Sequence, residues 1–169
     1  MVFVPFGKLL DIMFFINKYK NKKEPILEPI LRELRFGVAK NSLEKILNNK
    51  KYILDFGCGP EAKFYSYLCD KQFKFKTYFG FDPLLKNKNK CPKNMKLINN
   101  KQAISRRKYD LISMFAVLEH LDYPNFNYKF ITNSIKPGGY LIITTPTKIA
   151  KNVLEFLSYK LKIVSKREI

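Results

Sequence analysis

Gly57, Cys58 and Gly59 follow directly on a short apolar run, Tyr52-Ile53-Leu54-Asp55-Phe56, and precede a helical pattern. Two glycines this close let the backbone turn tightly and let a ligand approach it with no Cβ in the way. A helix start just beyond such a turn presents free N–H groups to something polar or anionic. Asp82 ends the next apolar run, 25 residues after Gly57. A carboxylate there can accept hydrogen bonds from both hydroxyls of a ribose. Together, on consecutive strands, these features predict a ligand of nucleoside type. Gly57-Cys58-Gly59-Pro60-Glu61-Ala62 also fits a dinucleotide fingerprint with Ala in third place. Glu61 argues against that version, because it sets an acid where a pyrophosphate would sit.

The elements that must position these residues alternate along the chain. Glu24-Pro25 and Glu28-Pro29 punctuate the N-terminal part. Ile26, Leu27, Ile30, Leu31 and Leu34 then recur at helical spacing, so Pro25 is expected to start a helix. A second helix is expected on the stripe Leu43, Ile46 and Leu47. From there strands are predicted at 52–56, 77–81, 95–98, 109–114 and 140–145. Helices are predicted at 61–69, 126–135 and 153–163, the first with Phe64, Tyr67 and Leu68 on one face. Lys136-Pro137-Gly138-Gly139 reads as a turn. Strand and helix in alternation argue for an α/β fold with a parallel sheet and right-handed crossovers. The expected organisation is an N-terminal helical segment, residues 1–50, packing on a core of residues 51–169.

A chain of 169 residues is the length of one domain. Its 46% hydrophobic and 27% charged residues exclude wholesale disorder. Cys58, Cys69 and Cys91 are odd in number and at no metal-ligand spacing, which argues against a disulfide scaffold or a zinc site and for a reducing, cytoplasmic setting. The net charge of +18 comes from 27 Lys and only 5 Arg. Sequence-specific nucleic-acid readers lean on arginine, so the excess reads first as a solvated lysine surface and argues little for nucleic acid. Between Lys71 and Lys108 stand 12 Lys and Arg against one acid, Asp82. That stretch includes Lys86-Asn87-Lys88-Asn89-Lys90, which is either a solvated loop or a patch attracting an anionic substrate. No run reaches the roughly 18 apolar residues of a membrane span. The apolar N-terminus, Met1 to Ile16, is expected to pack on the domain. Its alternative is an interfacial helix making peripheral membrane contact, with Lys18, Lys20, Lys22 and Lys23 as its basic partner.

Three further segments complete the pattern: Tyr109-Asp110-Leu111-Ile112-Ser113-Met114, Ala116-Val117-Leu118-Glu119-His120-Leu121, and Ile135-Lys136-Pro137-Gly138-Gly139-Tyr140-Leu141-Ile142-Ile143-Thr144. With Leu54-Asp55-Phe56-Gly57-Cys58-Gly59 and Gly80-Phe81-Asp82, the chain resembles class I S-adenosylmethionine-dependent methyltransferases in order and spacing, over residues 25–160. The likeness is to the small-molecule branch, since no Asn/Asp-Pro-Pro-Tyr/Phe motif follows the fourth strand, where Met114-Phe115-Ala116 stands.

The resemblance implies a Rossmann-like open sheet of about five parallel strands, order 3-2-1-4-5, flanked by helices. It implies S-adenosyl-L-methionine as cofactor and a small-molecule or lipid-linked methyl acceptor. Asp55, Gly57, Cys58 and Gly59 would line the pocket for its methionine part, and Asp82 would hold the ribose hydroxyls. Asn100, or Asn99, would meet the adenine amino group, and Phe115 would lie near the sulfur. His120, the single histidine, is either a locally bonded helix-start residue or, on the sharper reading, a general base at the substrate mouth or a metal ligand with Glu119. The family usually closes with an antiparallel hairpin beside strand five, and the chain stops at Ile169 about where that would begin. Strand five is then expected to be an exposed apolar edge, open to self-association. The alternative to an active enzyme is a non-catalytic protein that keeps the cofactor pocket.

Overall fold

The computed structural model describes residues 27–85, 91–121 and 128–145. Val38–Thr145 forms a compact unit of its own, and it carries the sheet. Of the other unit, the stretch Leu27–Gly37 is described. The apolar segment at 1–16, the lysine run at 86–90, the first two residues of the helix expected at 126–135 and the closing helix at 153–163 lie outside the described residues.

Five parallel strands lie in the order β3-β2-β1-β4-β5. They are β1 (Tyr52–Phe56), β2 (Thr77–Phe81), β3 (Met95–Ile98), β4 (Tyr109–Phe115) and β5 (Ile135–Thr144). The order that the resemblance implied is therefore the order found. β1 and β2 pair without a slip from Tyr52↔Thr77 to Phe56↔Phe81, so the two strands end level. That levelness sets the glycine turn beside Asp82.

The central strands are apolar along nearly their whole length because both faces are covered. One face carries Leu54, Phe56, Phe79, Phe81, Ile112 and Met114, packed with Ile104 and Ile131. Ile104 comes from α3 (Lys101–Ser105) and Ile131 from α4 (Tyr128–Thr132). The other face carries Ile53, Asp55, Tyr78, Leu111 and Ser113 at matching register. It is covered by α2 (Lys63–Asp70), whose Phe64, Tyr67 and Leu68 are buried as their spacing predicts.

Three local expectations are revised. The two N-terminal helices are one helix, α1 (Leu27–Ile46), which runs through Gly37. Its buried Ala39, Leu43 and Ile46 keep one stripe at spacings of four and three, while Leu34 is exposed. The turn expected at Lys136–Gly139 lies inside β5. Between Tyr109 and Leu111 the β4 strand advances two residues, and β5 advances five, from Ile135 to Tyr140. The Pro-Gly-Gly signal thus makes a bulge, with Gly138 at φ 71°. Ile135 is strand, not helix, because it pairs with Tyr109. α3 was not foreseen. Among the described residues β5 is an edge of the sheet, and Tyr140, Leu141 and Ile143 on it are exposed.

Candidate functional site

The site is built where β1 and β2 end. Past Phe56 the chain turns at Gly57, and the amides of Gly57 and Cys58 both donate to the Phe81 carbonyl, at 2.7 and 3.0 Å. The turn is therefore tied to the last residue of β2. Gly57 has φ 81°, and a Cβ there would stand 2.4 Å from Val117 Cγ2. Both conformation and space demand glycine. Gly59 differs. It has φ 66°, and nothing lies within 4 Å of where its Cβ would be. Its missing side chain leaves open space beside the backbone, which is the cradle a ligand needs.

Asp82 is locked across this turn. Its Oδ2 accepts from the Gly59 amide at 3.0 Å and its Oδ1 from the Leu84 amide at 2.9 Å. Its own amide donates to the Ile98 carbonyl at the end of β3, 3.2 Å away. A carboxylate has about four acceptor positions, so two remain for hydroxyls arriving from solvent. The structure thus brings Gly57, Cys58, Gly59 and Asp82 into one surface. Cys58 is half-buried, its Sγ set where a Cβ on Gly80 would come within 2.9 Å. Its thiol donates to the Gly59 carbonyl at 3.3 Å.

Asp55 lies deeper. It is 3% exposed, and it accepts from Tyr78 Oη at 2.6 Å and Ser113 Oγ at 2.7 Å. Burial pushes its carboxyl up to about 6, against the pull of those two hydroxyls and with a further push from the charge of Asp82. Tyr78 is held well above its usual value, first by burial and then by Asp55, so it remains a donor. This buried trio fixes the end of β1 from beneath.

The remaining residues sit around that surface in different ways. Phe115 ends β4 and packs edge-on against Phe64, centroids 4.7 Å apart. The chain then passes through Ala116 at φ 54°, whose amide donates to the Thr144 carbonyl at 3.0 Å. Val117 follows and is the side chain that faces Gly57. His120 closes the 3₁₀ turn Leu118–His120, is exposed, and bonds by its amide to the Val117 carbonyl at 3.0 Å. Asn100 caps α3, its Oδ1 accepting from the Gln102 amide at 2.9 Å. It is exposed, two residues beyond the end of β3. Val117, Tyr78 and Ser113 are the site residues that sequence reasoning missed. A serine and a tyrosine interrupting apolar strands beside an Asp-bearing one were the available signal.

A family model describing a methyltransferase domain matches residues 29–162. No curated protein matches the sequence. Among solved structures, a SAM dependent methyltransferase from Archaeoglobus fulgidus aligns with TM-score 0.54 at 15% identity, over 90% of this chain and 66% of that one. A complex from Haloferax volcanii, of the Trm112 methyltransferase activator with a candidate methyltransferase, aligns with TM-score 0.55 at 15% identity, over 88% and 66%. This chain therefore spans 66% of the length of each of those two structures. At such identities the likeness is one of fold.

Proposed function

The chain belongs to the methyltransferase domain family, and on that premise we propose that it binds S-adenosyl-L-methionine at the Gly57–Gly59 turn and methylates a small or lipid-linked acceptor. The observation that carries this reading is Asp82, fixed by the Gly59 and Leu84 amides with acceptor capacity to spare. Two adjacent ribose hydroxyls suit it. The open side of Gly59 fits a ligand that must press against backbone. Leu84, 76% exposed and two residues past Asp82, offers an apolar surface for a base. When bound, the cofactor supplies a methyl group on a positively charged sulfur, ready for displacement by an acceptor.

The chain's own part is mostly to hold and align. Gly57, Cys58 and Gly59 would set the methionine part against the backbone, and Phe115 would limit water near the sulfur. Asp55 would act from below, by keeping the turn in place. Asn100 retains its amide N–H groups for an adenine edge, while its oxygen serves the α3 cap. An exposed imidazole at His120 suits removal of a proton from an acceptor hydroxyl or amine. Among the described residues no helix is long and apolar enough to cross a membrane, and no cluster of His, Cys, Asp and Glu could hold a metal ion.

Calorimetry with S-adenosylhomocysteine and with NADH tests the reading. Saturable heat is expected with the first and none with the second. Asp82→Ala should weaken binding by about tenfold or more, as for charge-assisted hydrogen bonds lost. Absence of heat with S-adenosylhomocysteine at millimolar concentration would overturn it. Once an acceptor is found, unchanged turnover in His120→Ala would dismiss that residue as a base.

A further inference from the structure

The turn and Asp82 occupy the C-terminal ends of the strands. The N-terminal ends carry a second polar cluster that methyl transfer leaves unused. Lys76 Nζ and Lys136 Nζ each lie 4.9 Å from the centroid of the Tyr52 ring. The Arg107 guanidinium carbon lies 5.5 Å from the same centroid and 5.0 Å from that of Phe79. Lys96 Nζ stands 6.0 Å from Phe79. Three cationic groups thus stand within 5.5 Å of one point.

The fold gathers them by register. Lys51 and Lys76 immediately precede β1 and β2, and the Lys76 amide donates to the Lys51 carbonyl at 2.8 Å. Arg107 stands two residues before β4, its amide bonded to the Ile104 carbonyl at 3.2 Å. Lys136 enters from the bulge of β5. Among the described residues one acid answers them. Asp110 pairs with Lys136 at 2.7 Å and Lys51 at 3.6 Å, and accepts the Tyr52 amide at 2.8 Å. Lys76, Lys96 and Arg107 are exposed and have no carboxylate partner among the described residues. A hydrogen bond from Lys76 holds the Tyr52 phenol below its usual value against the opposing effect of burial, and the charges of Lys76, Arg107 and Lys136 add to it. Cations crowded around one ring repel each other, and a multiply charged anion would relieve that repulsion.

The shape of the cluster narrows the ligand. Phe79 is buried, and cations stand over both rings, so neither ring is free to stack a nucleic-acid base. What the cluster offers is a guanidinium fork, ammonium groups and a phenol hydroxyl within a small volume. That set matches tetrahedral oxyanions. The five residues of β1 separate it from the glycine turn, about 16 Å at the usual rise of a strand.

We propose that Lys76, Arg107 and Lys136 around Tyr52 form a second ligand site, which binds a compact phosphate-class oxyanion independently of the cofactor turn. The site does not depend on the methyl-transfer reading. Calorimetry of the full chain with inorganic tripolyphosphate at low salt tests it. Saturable binding is expected, unaffected by S-adenosylhomocysteine. The double variant Lys76→Gln, Arg107→Gln should weaken it by about tenfold or more, and Lys101→Gln, a charge loss elsewhere, by less than about twofold. In wild type, tripolyphosphate should also raise the Tyr52 phenol pKa, read from carbon-13-labelled tyrosine with Tyr52→Phe for assignment. This second readout needs no charge variant to fold. Capture by vesicles of phosphatidylcholine with phosphatidic acid, lost in the double variant, would support the site with a lipid headgroup as source. Binding of soluble tripolyphosphate without vesicle capture would support it with a free phosphate. Absence of saturable binding, equal loss in Lys101→Gln, an unmoved Tyr52, or tighter binding per phosphate to a single-stranded oligonucleotide would overturn it.

Discussion

At the C-terminal ends of the strands the polar groups are set by backbone. The Gly57 and Cys58 amides tie the turn to the Phe81 carbonyl, and the Gly59 and Leu84 amides hold the side chain of Asp82. At the N-terminal ends the polar groups are long side chains, Lys51, Lys76, Lys96, Arg107 and Lys136, set about two aromatic rings and one carboxylate. The first arrangement is rigid, because moving a donor means moving a strand end. The second is adjustable, because four-carbon stems can swing. A rigid end suits a ligand of fixed shape, and an adjustable one suits a charge. The same difference predicts where substitutions should affect stability.

The largest effect is expected at Gly57. A Gly57→Ala side chain would meet Val117 in a left-handed backbone, and should destabilise the fold by about 2–4 kcal/mol. Gly59→Ala meets nothing and should cost only about 1 kcal/mol while still impeding ligand. Urea melts of the two variants separate the demands of fold from those of binding. Equal losses would erase that distinction.

Next is the buried carboxyl under the turn. Asp55 has its folded pKa raised to about 6 from 3.8. The folded state therefore keeps a proton that the unfolded chain releases between those values. Its contribution to stability is greatest below about pH 4, falls as pH rises to about 6, and is constant above. The fall is at most about 3 kcal/mol, from about two units at about 1.36 kcal/mol each. The difference between wild type and Asp55→Asn in urea melts from pH 4 to 7 should trace that slope. A flat difference would show that Asp55 is not the group responsible.

Smaller effects belong to the other end. Asp110 is pushed up by burial, yet the Lys136 hydrogen bond, the Tyr52 amide and the charges of Lys136 and Lys51 hold it below the usual carboxylate range. Asp110→Asn should cost about 1 kcal/mol, measured by urea melt, since it weakens a partly exposed pair and keeps an acceptor for Tyr52. Arg107→Gln should leave stability within about 0.5 kcal/mol or raise it slightly, because it removes a repelled charge. A loss of several kcal/mol there would mean that the cationic end is structural after all.

How much of this was legible beforehand follows the same division. The strands, the helix stripe Phe64, Tyr67 and Leu68, and the nearness of the glycine turn to Asp82 were readable because periodicity and glycine spacing are local signals, while the strand order came with the family resemblance. The partners of Asp55 were not, because Tyr78 and Ser113 meet it only through the register of neighbouring strands. Pro137-Gly138-Gly139 marks a departure from regular strand, but sequence does not distinguish a turn from a bulge. Asn100 was a plausible ligand contact by position, and its capping bond to Gln102 is the commoner use of an asparagine before a helix. The sequence shows a basic stretch from Lys71 to Lys108, but only the topology brings Lys76 and Arg107 from it together with Lys136 at the strand starts.

The most direct measurement is amide chemical-shift mapping of the nitrogen-15-labelled chain titrated with S-adenosylhomocysteine. Shifts at Gly57, Gly59, Asp82 and Leu84, with Tyr52, Lys76 and Arg107 unmoved, are predicted. Absence of saturable shifts at the glycine turn, or shifts confined to the N-terminal ends of the strands, would contradict the assignment of the cofactor to Gly57, Gly59 and Asp82.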